Sequence, residues 1–350
     1  MPLKKVLLKI LKIFLISLVS LVLLLFIIRY IGKKINSKIP DGGINKSLYV
    51  DIGGTKQWIN IYGENLENPV LLYLHGGPGS ATSELDYIFT RKWADIFTVV
   101  TWDQRNCGKS YDKNQNDIVL TRELFMNDGR EITEFLLKYL RKEKIALLGH
   151  SWGAIYGANL VLEYPEYYDR FIGVGQLVDN LENEKAFKEA AKEWTKKDNN
   201  QEMISIVNKL TPEKINMEHF NYKNQIMAHY GYDMMRDGSD YNLFATILFN
   251  PNYSLKDWIQ YFKRNHGVYF DFMQSPEFSS FSLKDRKEYK VPYYNINGNN
   301  DYQTNYIIAQ NYFNEIKAPK KEMYIMENTT HGLLESKSED FSEILHSLDL

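Results

Sequence analysis

The chain has 350 residues and a mass of 41.1 kDa, enough for one large domain or two ordinary ones with a sizeable core. Hydrophobic residues make up 44% and charged residues 25%, which excludes wholesale disorder; 42 Lys+Arg against 44 Asp+Glu give a net charge of -2, without the basic excess a nucleic-acid surface needs. The single cysteine, Cys107, excludes an internal disulfide framework and a zinc site built from cysteines.

The first element is apolar. Ile13 to Ile28 carries no charged side chain and is bracketed by Lys12 and Arg29, whose stems can snorkel to headgroups. With the flanks Val6–Leu11 and Tyr30–Ile31 the segment reaches the ~20 residues that cross a bilayer as a helix. A cleaved signal peptide fits less well, because Tyr30 to Lys34 (YIGKK) is a poor small-residue cleavage site, and a buried core helix would show a polar face. Residues 1–34 are therefore expected to form a single-pass anchor in membrane lipid. Lys4, Lys5, Lys9 and Lys12 before the run nearly balance Arg29, Lys33, Lys34 and Lys38 after it. The free amino terminus tips the positive-inside balance slightly toward N-inside, with the bulk of the chain outside the cytoplasm. The Pro and paired Gly of Ser37 to Asn45 read as a linker, placed at 35–46.

Leu48–Ile52 and Trp58–Tyr62 then predict a hairpin about Gly53-Gly54-Thr55. The short apolar runs Val70–Leu74, Phe97–Trp102, Ile145–Leu148 and Phe171–Val174 fit buried parallel strands, and Thr121 to Leu140 carries helical spacing between the second and third. This alternation predicts an α/β layer fold, a mostly parallel sheet flanked by helices. It stops near Val178 and resumes near Val291, with a helix over Thr304–Ile316 and a strand at Met323–Met326. The sheet domain is thus placed at 47–178 and 291–350, and 179–290 is read as a helical insertion over the C-terminal edge of the sheet, where open α/β sheets bind ligands. In its first helix, Glu182 to Lys197, the pairs Glu184–Lys188 and Glu193–Lys197 read as a solvated face.

The chemistry is concentrated in loops after strands. Gly149-His150-Ser151-Trp152-Gly153 follows one strand and opens a helix, the strand–turn–helix context of a G-x-S-x-G nucleophile elbow. His75-Gly76-Gly77-Pro78-Gly79 follows another strand, and its backbone can approach a substrate carbonyl. The N–H groups of Gly77 and Trp152 are the candidate oxyanion donors.

These two segments, with Asp103-Gln104-Arg105-Asn106-Cys107-Gly108-Lys109-Ser110 between them, resemble the α/β-hydrolases of the proline iminopeptidase type. That family usually has Gly where Asn106 stands and often Arg where Lys109 stands. The resemblance covers roughly 48–178 and 291–349, and it implies a helical cap in the place of the insertion. The chain order on this fold is Ser, acid, His. His331, in a loop after the strand MYIM, suits the base better than His346 in the last helix. Asp301, after YYNI and NGNN, resembles the family's acid loop, with Asp179 as runner-up; His75 and His150 are read as structural. Ser151, His331 and Asp301 would act through an acyl-enzyme, a chemistry that requires no metal or organic cofactor.

The resemblance implies an aminopeptidase that releases N-terminal residues, often proline, from small peptides, with cap glutamates holding the substrate amine. The nearest matches to the glutamate segments are Ile226-Met227-Ala228-His229-Tyr230, with Met227 in place of the acid, and Trp194-Thr195-Lys196-Lys197-Asp198. Strict proline specificity is accordingly not expected. A carboxylesterase or lipase-like hydrolase of small acyl esters is the alternative, its acyl pocket built from cap aromatics such as Tyr230, Phe244, Phe262 and Tyr269, which otherwise read as cap core. A catalytically dead adaptor is a third reading. Cys107 is expected to be a half-buried loop residue.

Overall fold

The computed structural model describes residues 2–234, 236, 238 and 241–348; residue 1 of the expected anchor, four positions of the expected insertion and residues 349–350 lie outside the described residues. Helix α1 (Pro2–Asn36) is continuous through the apolar run, and almost none of that run is covered by the rest of the protein. Beyond it stand β1 (Ile44–Ile52), β2 (Thr55–Gly63), β3 (Val70–Leu74), the short α2 (Tyr87–Thr90), β4 (Thr98–Asp103), α3 (Arg122–Leu140), β5 (Ile145–His150), α4 (Trp152–Glu163) and β6 (Tyr168–Val174). Helices α5 (Asn180–Asp198), α6 (Gln201–Asn208), α7 (Met217–Tyr230), α8 (Leu243–Phe249), α9 (Leu255–Lys263), α10 (Gly267–Met273) and α11 (Pro276–Ser279) follow before the sheet resumes. It closes with β7 (Tyr293–Gly298), α12 (Tyr306–Glu315), β8 (Lys321–Met326), α13 (Leu333–Ser336) and α14 (Ser338–Ser347).

Among the described residues, eight strands form one sheet in the order β1-β2-β4-β3-β5-β6-β7-β8. The β1–β2 hairpin and the β2–β4 pair are antiparallel, and every other neighbour is parallel. β3, β4, β5 and β7 are buried along their whole length, as expected of strands covered by helices on both faces. One core layer packs α3 and α4 on the sheet through Phe125, Ile132, Leu136 and Trp152; the other packs Phe89, Trp93 and Phe341 on the opposite face.

Local chemistry sets the helix limits. Thr121 caps α3, its hydroxyl accepting Leu124 N–H, and Arg141 ends the helix in the left-handed region. β1 begins earlier than its hydrophobic pattern suggested and α1 continues to Asn36, so the intervening loop is shorter than the expected linker. Strand pairing with β2 extends β1 through polar Asn45, Lys46 and Ser47, which periodicity alone cannot assign.

Candidate active site

Ser151 sits between β5 and α4 with φ 59° and ψ −118°, a strained conformation for a residue with a side chain. Its N–H donates to Val174 O on β6 (2.9 Å). The turn is tight enough that a Cβ on Gly153 would lie 2.1 Å from Leu74 O, and one on Gly149 2.0 Å from Gly153 O, which explains both glycines. Trp152 opens α4, so its N–H has no partner within the helix. Gly77 lines the same cleft as Ser151.

Asp301 follows β7 and His331 follows β8, and the two meet: Asp301 Oδ2 lies 2.7 Å from His331 Nδ1, both side chains buried. Thr304 completes the arrangement. Its N–H donates to Asp301 Oδ1 (2.9 Å) and its hydroxyl lies 2.9 Å from Asp301 Oδ2. Burial pushes the Asp301 carboxyl up, but the charge and hydrogen bond of His331 and the bonds from Thr304 outweigh it and hold the carboxyl below its ordinary value. A Cβ on Gly175, the residue after Val174, would lie 3.1 Å from His331 Cε1, so the imidazole rests on the end of the strand that also binds Ser151 N–H. Asp179 is elsewhere employed: it caps α5, accepting Glu182 N–H (2.8 Å) and Ser282 O–H (2.7 Å).

Buried polar groups brace these loops. His75 Nδ1 donates to Gly76 O (2.8 Å), and burial lowers its pKa to about 4. His150 Nε2 donates to His331 O (3.0 Å), and burial lowers its pKa to about 3. Gln104 accepts from Trp152 Nε1 (3.1 Å) and donates to His75 O (3.3 Å), tying the elbow to the glycine loop. Asn106 has φ 51°, a left-handed conformation that Asn tolerates where most residues do not, which explains how it stands in a glycine's place. Cys107 is fully rather than half buried, its thiol 3.0 Å from Gln104 O, and burial pushes that thiol up, away from the reactive thiolate.

The cleft holding Ser151 and Gly77 has about 60 Å³ of free space; Leu177, Met273 and Phe278 give it apolar lining, and Glu184, His219 and Lys223 also line it. Sequence reasoning missed these three. Glu184 does not form the expected solvated pair with Lys188, whose ammonium donates to Leu210 O (2.6 Å). It is buried, with Oε1 2.6 Å from Lys223 Nζ and Oε2 2.9 Å from His219 Nε2. His219 Nδ1 accepts Thr211 N–H (3.0 Å), so the ring proton is on Nε2 and donates to Glu184. Burial would raise Glu184, but Lys223 and His219 together hold it at about 2. The pattern carried a signal: Glu184, Phe187 and Ala191 share the i, i+3, i+7 stripe that α5 buries, and His219, Lys223 and Ile226 form an i, i+4, i+7 stripe buried on α7. Met227, in the place of one amine-binding glutamate, and Trp194, the tryptophan of the other matched segment, pack in the core of the helical region, and Trp194 stacks on Tyr232 (4.6 Å). The aromatics beside the cleft are Phe220 and Phe278; Phe244 and Phe262 are exposed instead.

Comparison with known proteins agrees with this architecture. Residues 69–337 match the family model described as alpha/beta hydrolase fold. The chain is 28% identical over 300 residues to a probable aminopeptidase, YbaC, of Bacillus subtilis, covering 81% of this chain and 89% of that protein. It is 31% identical over 114 residues to a proline iminopeptidase of Lactobacillus helveticus, covering 32% of this chain and 37% of the relative. The crystal structure of a proline iminopeptidase-related protein from Thermus thermophilus superposes with a TM-score of 0.58 at 19% identity, over 86% of this chain and 96% of that one. With a mixed sheet of that order and an elbow at Ser151, the chain belongs to the alpha/beta hydrolase fold family.

Proposed function

We propose that this protein is a membrane-anchored serine hydrolase of the aminopeptidase type, releasing N-terminal residues from small peptides through an acyl-enzyme on Ser151. The observation that carries this reading is the buried Asp301–His331 pair packed against the strand end that positions the elbow serine. Ser151 Oγ attacks the substrate carbonyl carbon while His331 Nε2 takes its proton. Asp301 stays ionised, fixes the Nδ1–H tautomer and stabilises the imidazolium. Gly77 and Trp152 N–H groups receive the oxyanion, with ~3–4 kcal/mol at stake per donor. Collapse of the tetrahedral intermediate expels the amine, which leaves with the proton from His331. Water, deprotonated by the same nitrogen, then releases the acid and restores Ser151. Residues 1–34 hold the enzyme in the membrane as a single span, with the catalytic domain outside the cytoplasm.

The aminopeptidase reading is supported by the long match to a probable aminopeptidase and by Glu184, an ionised carboxylate on the cleft wall able to accept a substrate ammonium. One observation favours a second reading, a carboxylesterase of small acyl esters: Lys223 already compensates Glu184, so the wall carries no net negative charge. A side-by-side screen of Pro-, Ala- and other aminoacyl-naphthylamides against short acyl esters separates the two. A fluorophosphonate is expected to label wild type at Ser151 and leave Ser151→Ala unlabelled; wild type that fails to label is a dead hydrolase, and neither enzyme reading survives.

A further inference from the structure

Helix α9 is amphipathic the wrong way round for a soluble protein. Leu255, Ile259 and Phe262, at i, i+4 and i+7, share one face, and that face is exposed. Phe262 is 80% exposed and Phe244, on α8, is 67% exposed; Leu243 and Ile247 extend the patch on α8. The orientation is enforced. Trp258 on the inner side packs on Tyr253 at 4.6 Å, Lys109 Nζ holds Asp257 Oδ2 at 3.0 Å, and Ser254 and Asp257 form a reciprocal cap at the N-terminus of α9. Exposed Lys256 and Lys263 flank the apolar stripe.

The same segment is fastened to α1 just where its uncharged run ends. Arg29 donates to Leu248 O (2.8 Å) and Tyr253 O (2.7 Å), Lys33 to Tyr253 O (2.6 Å) and Asn36 to Phe249 O (3.0 Å). Gly32 lets the ring of Phe249 seat on the helix, since a Cβ there would lie 2.1 Å from Cδ1. Arg29 is the first charge after Ile28, so in a spanning helix it stands at headgroup level and fixes α8 and α9 at that depth. The stretch from Arg29 to Asn36 rises about 10 Å, comparable with the ~5–10 Å over which an interfacial helix buries its apolar face.

We infer that the outward face of α8 and α9 is a second membrane contact, with Leu255, Ile259, Phe262 and Phe244 among acyl-chain ends and Lys256 and Lys263 toward anionic headgroups. The occupant is lipid rather than a protein because Arg29, Lys33 and Asn36, at the headgroup end of the anchor, hold α8 and the turn into α9 by direct hydrogen bonds. The inference rests on the anchor reading of α1. It makes the catalytic domain lie down on the bilayer, held at two places, instead of swinging on one helix.

Full-length protein carrying one environment-sensitive dye at Phe262→Cys, Ser20→Cys or Ile307→Cys, reconstituted sparsely in phosphatidylcholine–phosphatidylglycerol vesicles, tests this with nitroxide lipids of graded depth. Ile307 lies on α12, at the far edge of the sheet from β1. The label at 262 is expected to lose at least half its emission to shallow nitroxides and less to deep ones, while the label at 307 is unaffected. Emission at 262 that matches 307, with 20 quenched by deep nitroxides, overturns the second contact and leaves the anchor standing. Quenching at 262 that follows protein density instead of nitroxide assigns the face to a second copy and overturns the lipid assignment. A label at 20 that escapes deep nitroxides removes the anchor, and shallow quenching at 262 would then support a lipid-binding face acting alone.

Discussion

The sheet and the helices inserted between β6 and β7 each bury one histidine against one carboxylate, and the proposed mechanism puts the two pairs to opposite uses. Asp301 meets His331 at Nδ1, and the described bonds of that ring involve Nδ1 alone, leaving Nε2 to serve the serine in the mechanism proposed above. Glu184 meets His219 at Nε2, Thr211 N–H occupies Nδ1, and Lys223 adds a full positive charge. Burial and partner type are nearly the same. What differs is whether a ring nitrogen is left over, and a histidine with none left has no proton to trade.

The two histidines are expected to respond most differently to removal. His331→Ala is expected to lower kcat by ~10⁶ and Asp301→Asn by ~10⁴. His219→Ala should keep kcat within about tenfold of wild type and lose thermal stability instead, since it strips a buried carboxylate of a donor. A crippled His219→Ala that melts like wild type would give the cap pair a chemical role and end the contrast. Lys223→Met sharpens the next step. It leaves Glu184 uncompensated, which should cost ~3–5 kcal/mol of folding stability by chemical denaturation. The same change should lower KM for free-amine substrates relative to N-acetylated ones by about tenfold, if the wall faces the substrate amine. An unchanged KM ratio would place the amine elsewhere.

A third buried acid shows what happens without a cation. Glu335 is buried, its Oε2 has no hydrogen-bond partner among the described residues, and burial raises its pKa to about 7. The native state therefore holds this proton above the ordinary glutamate value near ~4.3, so the stability linked to it is complete below that pH and is lost as pH rises through about 7. Glu335→Gln should melt close to wild type at pH 5 and be more stable at pH 8, by ~2–3 kcal/mol. Coincident curves at both pH values would show the carboxyl ionised at no cost. The smallest effect belongs to Asp179→Ala, which removes a helix cap and should cost ~1 kcal/mol with turnover within a few-fold. A collapse in turnover would return Asp179 to the acid's role.

The catalytic half was legible because its signals are local. The elbow at Ser151, the glycine loop at Gly77 and the loops holding Asp301 and His331 each follow a recognisable apolar strand, and parallel strands in one sheet deliver such loops to one edge. The cap wall was not legible in that way. Glu184 and Lys188 have the spacing of a surface pair, and spacing says which charges share a face without saying which face is outside. That depends on α7, which brings Lys223 to Glu184 from 39 residues away. The exposed aromatics of α8 and α9 escaped for the converse reason: apolar side chains read as core until the direction of the helix is known.

The narrowness of the cleft has a kinetic consequence. Its free space of about 60 Å³ suits a few water molecules rather than an amino-acid residue, so a substrate residue needs the wall to move outward. If binding requires such an opening, the apparent dissociation constant is the intrinsic one divided by the open fraction. The cap is held to the loop beyond Asp301 by Asn183 Nδ2 to Gln303 O (2.9 Å), Lys223 Nζ to the same carbonyl (3.2 Å) and Asn305 N–H to Asn183 Oδ1 (2.8 Å). An opening along this seam would break those three bonds, and their combined strength would set its cost.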